Sequence, residues 1–66
     1  NPVKSTLTVT ADEQILAITL LDNLGRVVLN VAQPNGTVDI SSLTEGIYIL
    51  RLETEEGIYT SRIIKQ

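Results

Sequence analysis

Gly46-Ile47-Tyr48-Ile49-Leu50-Arg51-Leu52 is followed by the polar residues Thr54-Glu55-Glu56-Gly57 and by a second apolar-rich run, Ile58 to Lys65. Two apolar runs around a short polar segment that ends in glycine are typical of an antiparallel β-hairpin. Glycine closes such turns because it adopts the left-handed conformation without steric cost. The sequence therefore predicts a terminal hairpin.

The first strand of this hairpin carries apolar side chains on both of its faces. One face holds Tyr48, Leu50 and Leu52. Arg51 and Glu53 lie on the opposite face, because successive residues of a strand alternate, and there they are joined by Ile47 and Ile49. Apolar residues on both faces indicate cover from two sides, as in a small β-sandwich.

The register of the second strand has two solutions. A four-residue loop places Ile63 opposite Tyr48, whereas a three-residue loop with a bulge at Gly57 selects the alternating set that contains Ile64. Both sets contain apolar residues, so the pattern leaves the choice open.

Four further strands are predicted upstream, each bounded by turn-forming residues. They cover residues 6–10, 15–21, 26–31 and 37–40, after an extended start at residues 1–3. In the third of these strands, Val27, Leu29 and Val31 are expected on one face and Val28 on the other. The count is about six strands in all.

The connections carry turn residues. Asp22-Asn23-Leu24-Gly25 predicts a hairpin turn, since Asp and Asn accept backbone hydrogen bonds and Gly25 supplies a positive φ. Residues 12–14 form a polar connection, and Gln33-Pro34-Asn35-Gly36 predicts a tight turn. Residues 41–46 predict a single turn that places Leu43 in the core. Gly46 and Gly57 are likewise interpreted as turn formers.

Composition restricts the function. The chain has 66 residues and neither cysteine nor histidine, so no thiolate metal site, disulfide or histidine base is available. A chain of this size makes one domain that buries only about 60% of the surface of the unfolded chain. The net charge of −3 argues against nucleic acid as a partner.

The acidic residues are predicted to be structural. Asp22 with Asp39, or Glu55 with Glu56, could be imagined as a catalytic pair, but each acid lies where a turn needs a polar side chain. We therefore predict no enzyme, no metal site, no cofactor and no small-molecule substrate. Calcium binding at the acidic loops, which needs only oxygen ligands, stays open, although the spaced Asp/Asn pattern of a known calcium loop is missing. A glycan platform is also disfavoured, because Tyr48 and Tyr59 are the chain's only aromatic residues. Tyr48 lies on the apolar face of its strand, where we expect it to pack in the core with its hydroxyl reaching a partner at the rim.

The basic residues fall mostly in or beside predicted strands, and two interpretations are open. These residues are Lys4, Arg26, Arg51, Arg62 and Lys65. They could form a basic stripe on one sheet face, or they could lie singly over the sheet and pair with Glu53 or similar neighbours.

An ordered set of motifs resembles a known family. The set comprises Asn1-Pro2, Asp22-x-x-Gly25-Arg26, Leu43-x-x-Gly46-x-Tyr48 and the basic strand that ends in Arg62-Ile63-Ile64-Lys65. Together these resemble the type A C-terminal sorting domain of the Bacteroidetes type IX (Por) secretion system. The likeness covers nearly the whole chain and implies an all-β fold, a small immunoglobulin-like antiparallel β-sandwich of about six to seven strands.

The resemblance also implies a function. Residues 1–66 would be a non-catalytic sorting domain attached behind an N-terminal cargo. It would pass through the periplasm, be recognised by the outer-membrane secretion machinery, and be removed by a sortase at the cell surface. The residues expected to meet partners are Tyr48, Arg51, Arg62 and Lys65.

Two other functions are weighed against this one. The chain could be a small accessory ligand-binding or adhesive β-sandwich module of a surface enzyme, for which glycan or calcium binding without any effect on export would be diagnostic. A purely structural spacer would show neither export nor binding.

Overall fold

The computed structural model describes residues 2–3, 5–9, 14–32 and 36–66, which form strands and turns without a helix. None of these residues therefore belongs to a helix long and apolar enough to cross a membrane. The strands are β1 (Pro2–Val3), β2 (Thr6–Thr8), β3 (Ile15–Leu21), β4 (Val27–Ala32), β5 (Thr37–Asp39), β6 (Gly46–Thr54) and β7 (Gly57–Lys65).

The strands form two sheets. A five-stranded sheet has the order β1-β7-β6-β3-β4, and a two-stranded sheet pairs β2 with β5. Every pairing is antiparallel except that of β1 with β7, which is parallel. This confirms the all-β prediction, and the seventh strand is β1, which is too short to be recognised from its own sequence.

The core lies between the two sheets. Its buried apolar residues are Leu7, Val9, Ile18, Leu20, Val38, Ile40, Tyr48, Leu50 and Ile63. The most deeply buried are Ile18 and Leu20 of β3 and Ile40, which directly follows β5; each is at most 1% exposed. Because each sheet contributes one apolar face, the molecule is a small β-sandwich.

The terminal hairpin adopts the register of the longer loop. Tyr48 pairs with Ile63, and Thr54 pairs with Gly57 across the turn. The Thr54 hydroxyl donates to the Gly57 carbonyl at 2.9 Å and accepts from the Glu56 amide at 3.1 Å. This polar side chain is 6% exposed, so its two hydrogen bonds secure the turn that sets the register of both long strands.

The structure corrects two expectations. A bulge between Leu20 and Leu21 pairs Leu21 with Val27 and leaves Val28 as the extra residue, so Val27 does not join Leu29 and Val31 on the inner side and is 59% exposed. The second correction is that Ile47 is 46% exposed. The sheet is therefore covered on one side at this position, not on two.

The upstream strand predictions agree with the structure to within two residues at each end. Strand 15–21 was predicted with the bounds that β3 has, whereas β2 and β5 end earlier than predicted. Leu43 packs against the core, as expected from its turn. Asn1, Thr10, residues 12–13 and residues 33–35, where a motif residue and two connections were predicted, lie outside the described residues.

Candidate partner-recognition surface

The side of the five-stranded sheet that faces away from the core is called the outer face below. Its residues alternate with the buried residues of β3, β6 and β7. They are Thr19, Leu21, Ile47, Ile49, Arg51, Glu53, Ile58, Thr60, Arg62 and Ile64. Within the described ranges no second layer covers this face, so it is the broadest surface that the terminal hairpin offers to a partner.

Two arginines lie side by side on the outer face. Arg62 pairs with Ile49 across the hairpin, and Arg51 pairs with Thr60, so the arginines are diagonal neighbours, about 7–8 Å apart. Both are exposed. Of the acids in the described ranges, none forms an ion pair with either arginine, so the expected pairing with Glu53 is not observed there.

The other two residues predicted to meet partners lie on the inner side. Tyr48 is 6% exposed, and its hydroxyl donates to the Thr44 carbonyl at 2.7 Å. Lys65 is 9% exposed, and its Nζ donates to the Gln66 carbonyl at 3.1 Å. The exposed part of the predicted set is therefore Arg51 with Arg62, and the basic stripe is limited to these two residues among those described.

The turn between β3 and β4 is organised by Asp22. Its Oδ1 accepts from the amides of Leu24 and Arg26, both at 2.9 Å, and its Oδ2 accepts from Arg26 Nε at 2.8 Å. Gly25 has a φ of +84°, which side chains disfavour. The Asp-x-x-Gly-Arg motif is thus explained by the turn itself, since each named residue shapes or closes it.

The carboxylates that could have formed a catalytic pair have structural positions. Asp39 Oδ1 accepts from the Ser41 amide at 2.9 Å, which lowers the pKa of Asp39. Glu55 and Glu56 are exposed at the tip of the terminal hairpin. In the described ranges no group of three or more acids could hold a metal ion.

The hydrogen bond from the Arg26 amide is the main reason why the pKa of Asp22 lies below its ordinary value. The Arg26 side chain and the Leu24 amide add to this effect, and partial burial opposes it. A carboxyl whose pKa is lower in the folded state stabilises the fold above its unfolded pKa, and this contribution is lost as pH falls through the folded pKa.

We therefore expect Asp22→Asn to be less stable than the natural chain at pH 7, and the difference to shrink as pH falls below about 4. Urea unfolding measured between pH 7 and pH 2.5 checks this. Glu55→Gln, which removes an exposed acid from a different turn, is the control and should change the free energy of unfolding at pH 7 by no more than about 0.5 kcal/mol. A difference for Asp22→Asn that is constant with pH would contradict the expectation.

Two motif-bearing turns meet at one cleft. The cleft has a volume of about 400 Å³, and Asp22 and Arg26 line it from one side while Thr44, Gly46 and Tyr48 line it from the other.

Residues 1–66, the whole chain, match the family described as the secretion system C-terminal sorting domain. The chain belongs to this family. No curated protein and no solved structure matches this chain.

The sorting domain is a C-terminal sorting signal of type IX secretion and works with the type IX secretion machinery. It therefore belongs to an exported protein that is destined for the cell surface or the extracellular space. Its family is one of non-catalytic signal domains. The resemblance inferred from the motifs is thus confirmed.

Part of the outer face of the sorting domain does not follow from the sequence pattern. Ile47 and Ile49 were interpreted as covered residues, but Ile47 is exposed and lies opposite Ile64, which is 39% exposed. The signal was present in the sequence as two isoleucines on the charged face of the strand. These isoleucines indicate an exposed apolar surface only if the sheet is known to be covered on one side.

Proposed function

We propose that residues 1–66 act as one sorting domain behind an N-terminal cargo and pass through the periplasm with it. The outer-membrane secretion machinery recognises the domain, and a cell-surface sortase then removes it. The family match over the whole chain carries this proposal. The domain itself supplies a recognised surface, and the bond to its cargo is the substrate of another enzyme.

We further propose that recognition uses the outer face of the terminal hairpin. Arg51 and Arg62 place like charges next to each other without an acid of the described chain between them. Such an arrangement brings no stability to the domain, because neighbouring cations repel each other. Carboxylates of a partner would neutralise both charges through charge-assisted hydrogen bonds.

The edge of β7 adds main-chain groups to this surface. β1 pairs with β7 at Ile64 and Lys65 only. Between Thr60 and Ile63 the described chain has no strand on that edge. An extended segment of the machinery could pair there through backbone hydrogen bonds while its side chains meet Arg62.

Tyr48 and Lys65 contribute from inside the domain. The buried hydroxyl of Tyr48 joins β6 to the turn at Thr44, and Lys65, the last residue of β7, is 9% exposed. Tyr48 thereby helps to hold β6 in the position from which Arg51 is presented.

The test is a reporter protein fused ahead of residues 1–66 in a host that has a type IX system. Arg51→Gln with Arg62→Gln should lower the exported fraction about tenfold or more, since each charge-assisted bond lost at an interface costs about 1–3 kcal/mol. The control pair is Gln14→Glu with Ser42→Asp, which makes the same change in net charge at exposed positions away from the outer face.

Equal export by the arginine pair and the control pair would contradict recognition through these arginines. The mass of the exported reporter tests cleavage in the same cultures. A reporter that has lost residues 1–66 supports removal by a sortase, and a reporter that keeps them speaks against it.

A further inference from the structure

The outer face contains an apolar hollow beside the two arginines. Its volume is about 410 Å³, within the usual range of ligand pockets. Its lining consists of Leu21, Asp22, Asn23, Gly25, Ile47 and Ile49. The hollow is thus bounded on one side by β6 and on the other by the end of β3 and its turn.

Packing within the sorting domain does not explain why aliphatic side chains lie on the outer face. The core is on the other side of the sheet, yet Ile47 and its partner Ile64 are 46% and 39% exposed. A single exposed aliphatic residue is ordinary in a folded protein. Here the exposed Ile47 and the half-buried Leu21 and Ile49 surround one hollow. An aliphatic hollow next to arginines that form no ion pair with a described acid is typical of an interaction site.

We propose that the hollow receives one aliphatic side chain from an extended segment of a partner protein, and that an acidic residue of the same segment pairs with Arg62. This inference rests on the proposed function and names the chemistry of the partner. The segment would carry the pattern aliphatic-x-acid, in which x is any residue.

The geometry of the outer face supports this pattern. Ile49 at the edge of the hollow pairs directly with Arg62. Their Cβ atoms are therefore about 4.5–5.5 Å apart, and the long side chain of Arg62 can carry its guanidinium beyond its own Cβ. In an extended segment, residues two apart point to the same side and are separated by about 6.5–7 Å. An aliphatic residue in the hollow therefore places a carboxylate two positions later within reach of Arg62.

Charge favours a protein partner over an anionic membrane. Stable binding to acidic lipids takes clusters of about four to eight basic residues. The outer face has two arginines accompanied by Glu53, and the chain as a whole carries a net charge of −3. Two arginines suffice to select a carboxylate on a protein, where the aliphatic contact supplies the remaining affinity.

Export of the reporter tests the hollow with two matched substitutions. Ile47→Ser removes an aliphatic wall of the hollow, whereas Ile58→Ser makes the same change at a 54% exposed position at the far end of the outer face. Loss of an anchor contact reduces affinity by about tenfold or more. We therefore expect Ile47→Ser to lower the exported fraction about tenfold, and Ile58→Ser to leave it within about twofold of the natural domain.

The outcomes separate this inference from the proposed function. If Ile47→Ser exports as well as Ile58→Ser while the arginine pair still lowers export, the hollow is not a recognition site and the proposed function stands. If the natural domain itself directs no export, the proposed function fails. Urea unfolding of each variant shows whether a loss of export comes from a loss of fold.

A binding measurement does not depend on any variant being folded. The ¹⁵N-labelled chain is titrated with the peptide acetyl-Ser-Leu-Ser-Asp-Ser-amide and with the same peptide carrying Lys in place of Asp. We expect saturable shifts of the Ile47, Ile49 and Arg62 amides with the acidic peptide, and binding about fivefold weaker with the lysine peptide. Equal binding of both, no saturable shift, or sedimentation with phosphatidylglycerol vesicles that Ile47→Ser abolishes would overturn the proposal.

Discussion

Leu20→Ala is expected to leave much of the sorting domain unfolded at 25 °C. Leu20 is 0% exposed in the core between the two sheets. Truncating such a residue costs about 2–5 kcal/mol, because the transfer energy is lost and a cavity remains. A domain of fewer than about 70–80 residues rarely has more than about 3–5 kcal/mol in total, so the substitution removes most of its stability.

Urea unfolding followed by far-ultraviolet circular dichroism measures this effect. The matched control is Leu24→Ala, which makes the same chemical change at a residue that is 73% exposed and should alter the free energy of unfolding by at most about 0.5 kcal/mol. Equal midpoints for the two variants would show that Leu20 is not in a packed core.

Removal of residues 62–66 is expected to abolish both the fold and the export of a fused reporter. The deletion takes away Ile63, which is 4% exposed and pairs with Tyr48. It also removes the residues of β7 with which β1 pairs. The five-stranded sheet would lose one edge and part of its apolar face, which a domain of marginal stability does not tolerate.

Circular dichroism of the shortened domain, together with the exported fraction of its reporter, checks this expectation. Removal of Gln66 alone is the control, since this residue is exposed and lies beyond β7. A shortened domain that still unfolds cooperatively and is still exported would contradict the account. A shortened domain that folds but is retained would place the signal in the removed residues themselves.

Local sequence predicted the elements that have one clear period and clear ends. β3 was predicted with its observed bounds, because Ile15–Leu21 is an apolar run between polar residues. The turn at Asp22 was predicted from residue types that make their own hydrogen bonds within the turn. These elements depend on neighbours in the chain, which a sequence pattern shows directly.

Features that depend on distant contacts were not predicted. The bulge at Leu20 is a matter of pairing between two strands, and it changed the side to which Val27 points. The register of the terminal hairpin does not follow from the sequence, because both alternating sets of β7 contain isoleucine. The short β1 is stabilised by pairing with β7, about sixty residues away, and its own sequence gives no sign of this.

The candidate site was predicted only in part, because the face to which a side chain points depends on pairing with other strands. Arg51 and Arg62 were identified by charge and strand position, and the structure places both on the outer face. Tyr48 and Lys65 were included as well, although the register turns both to the inner side. The hollow beside Ile47 required knowledge of which face of the sheet stays uncovered, and this follows only from the packing of β2 and β5 on the other face.

The most direct measurement is the location of one reporter in two strains. The reporter is fused ahead of residues 1–66 and expressed in a host with a type IX system and in an otherwise identical strain without that system. The account predicts that the reporter reaches the cell surface or the medium in the first strain and stays inside the second. The same distribution in both strains would contradict it.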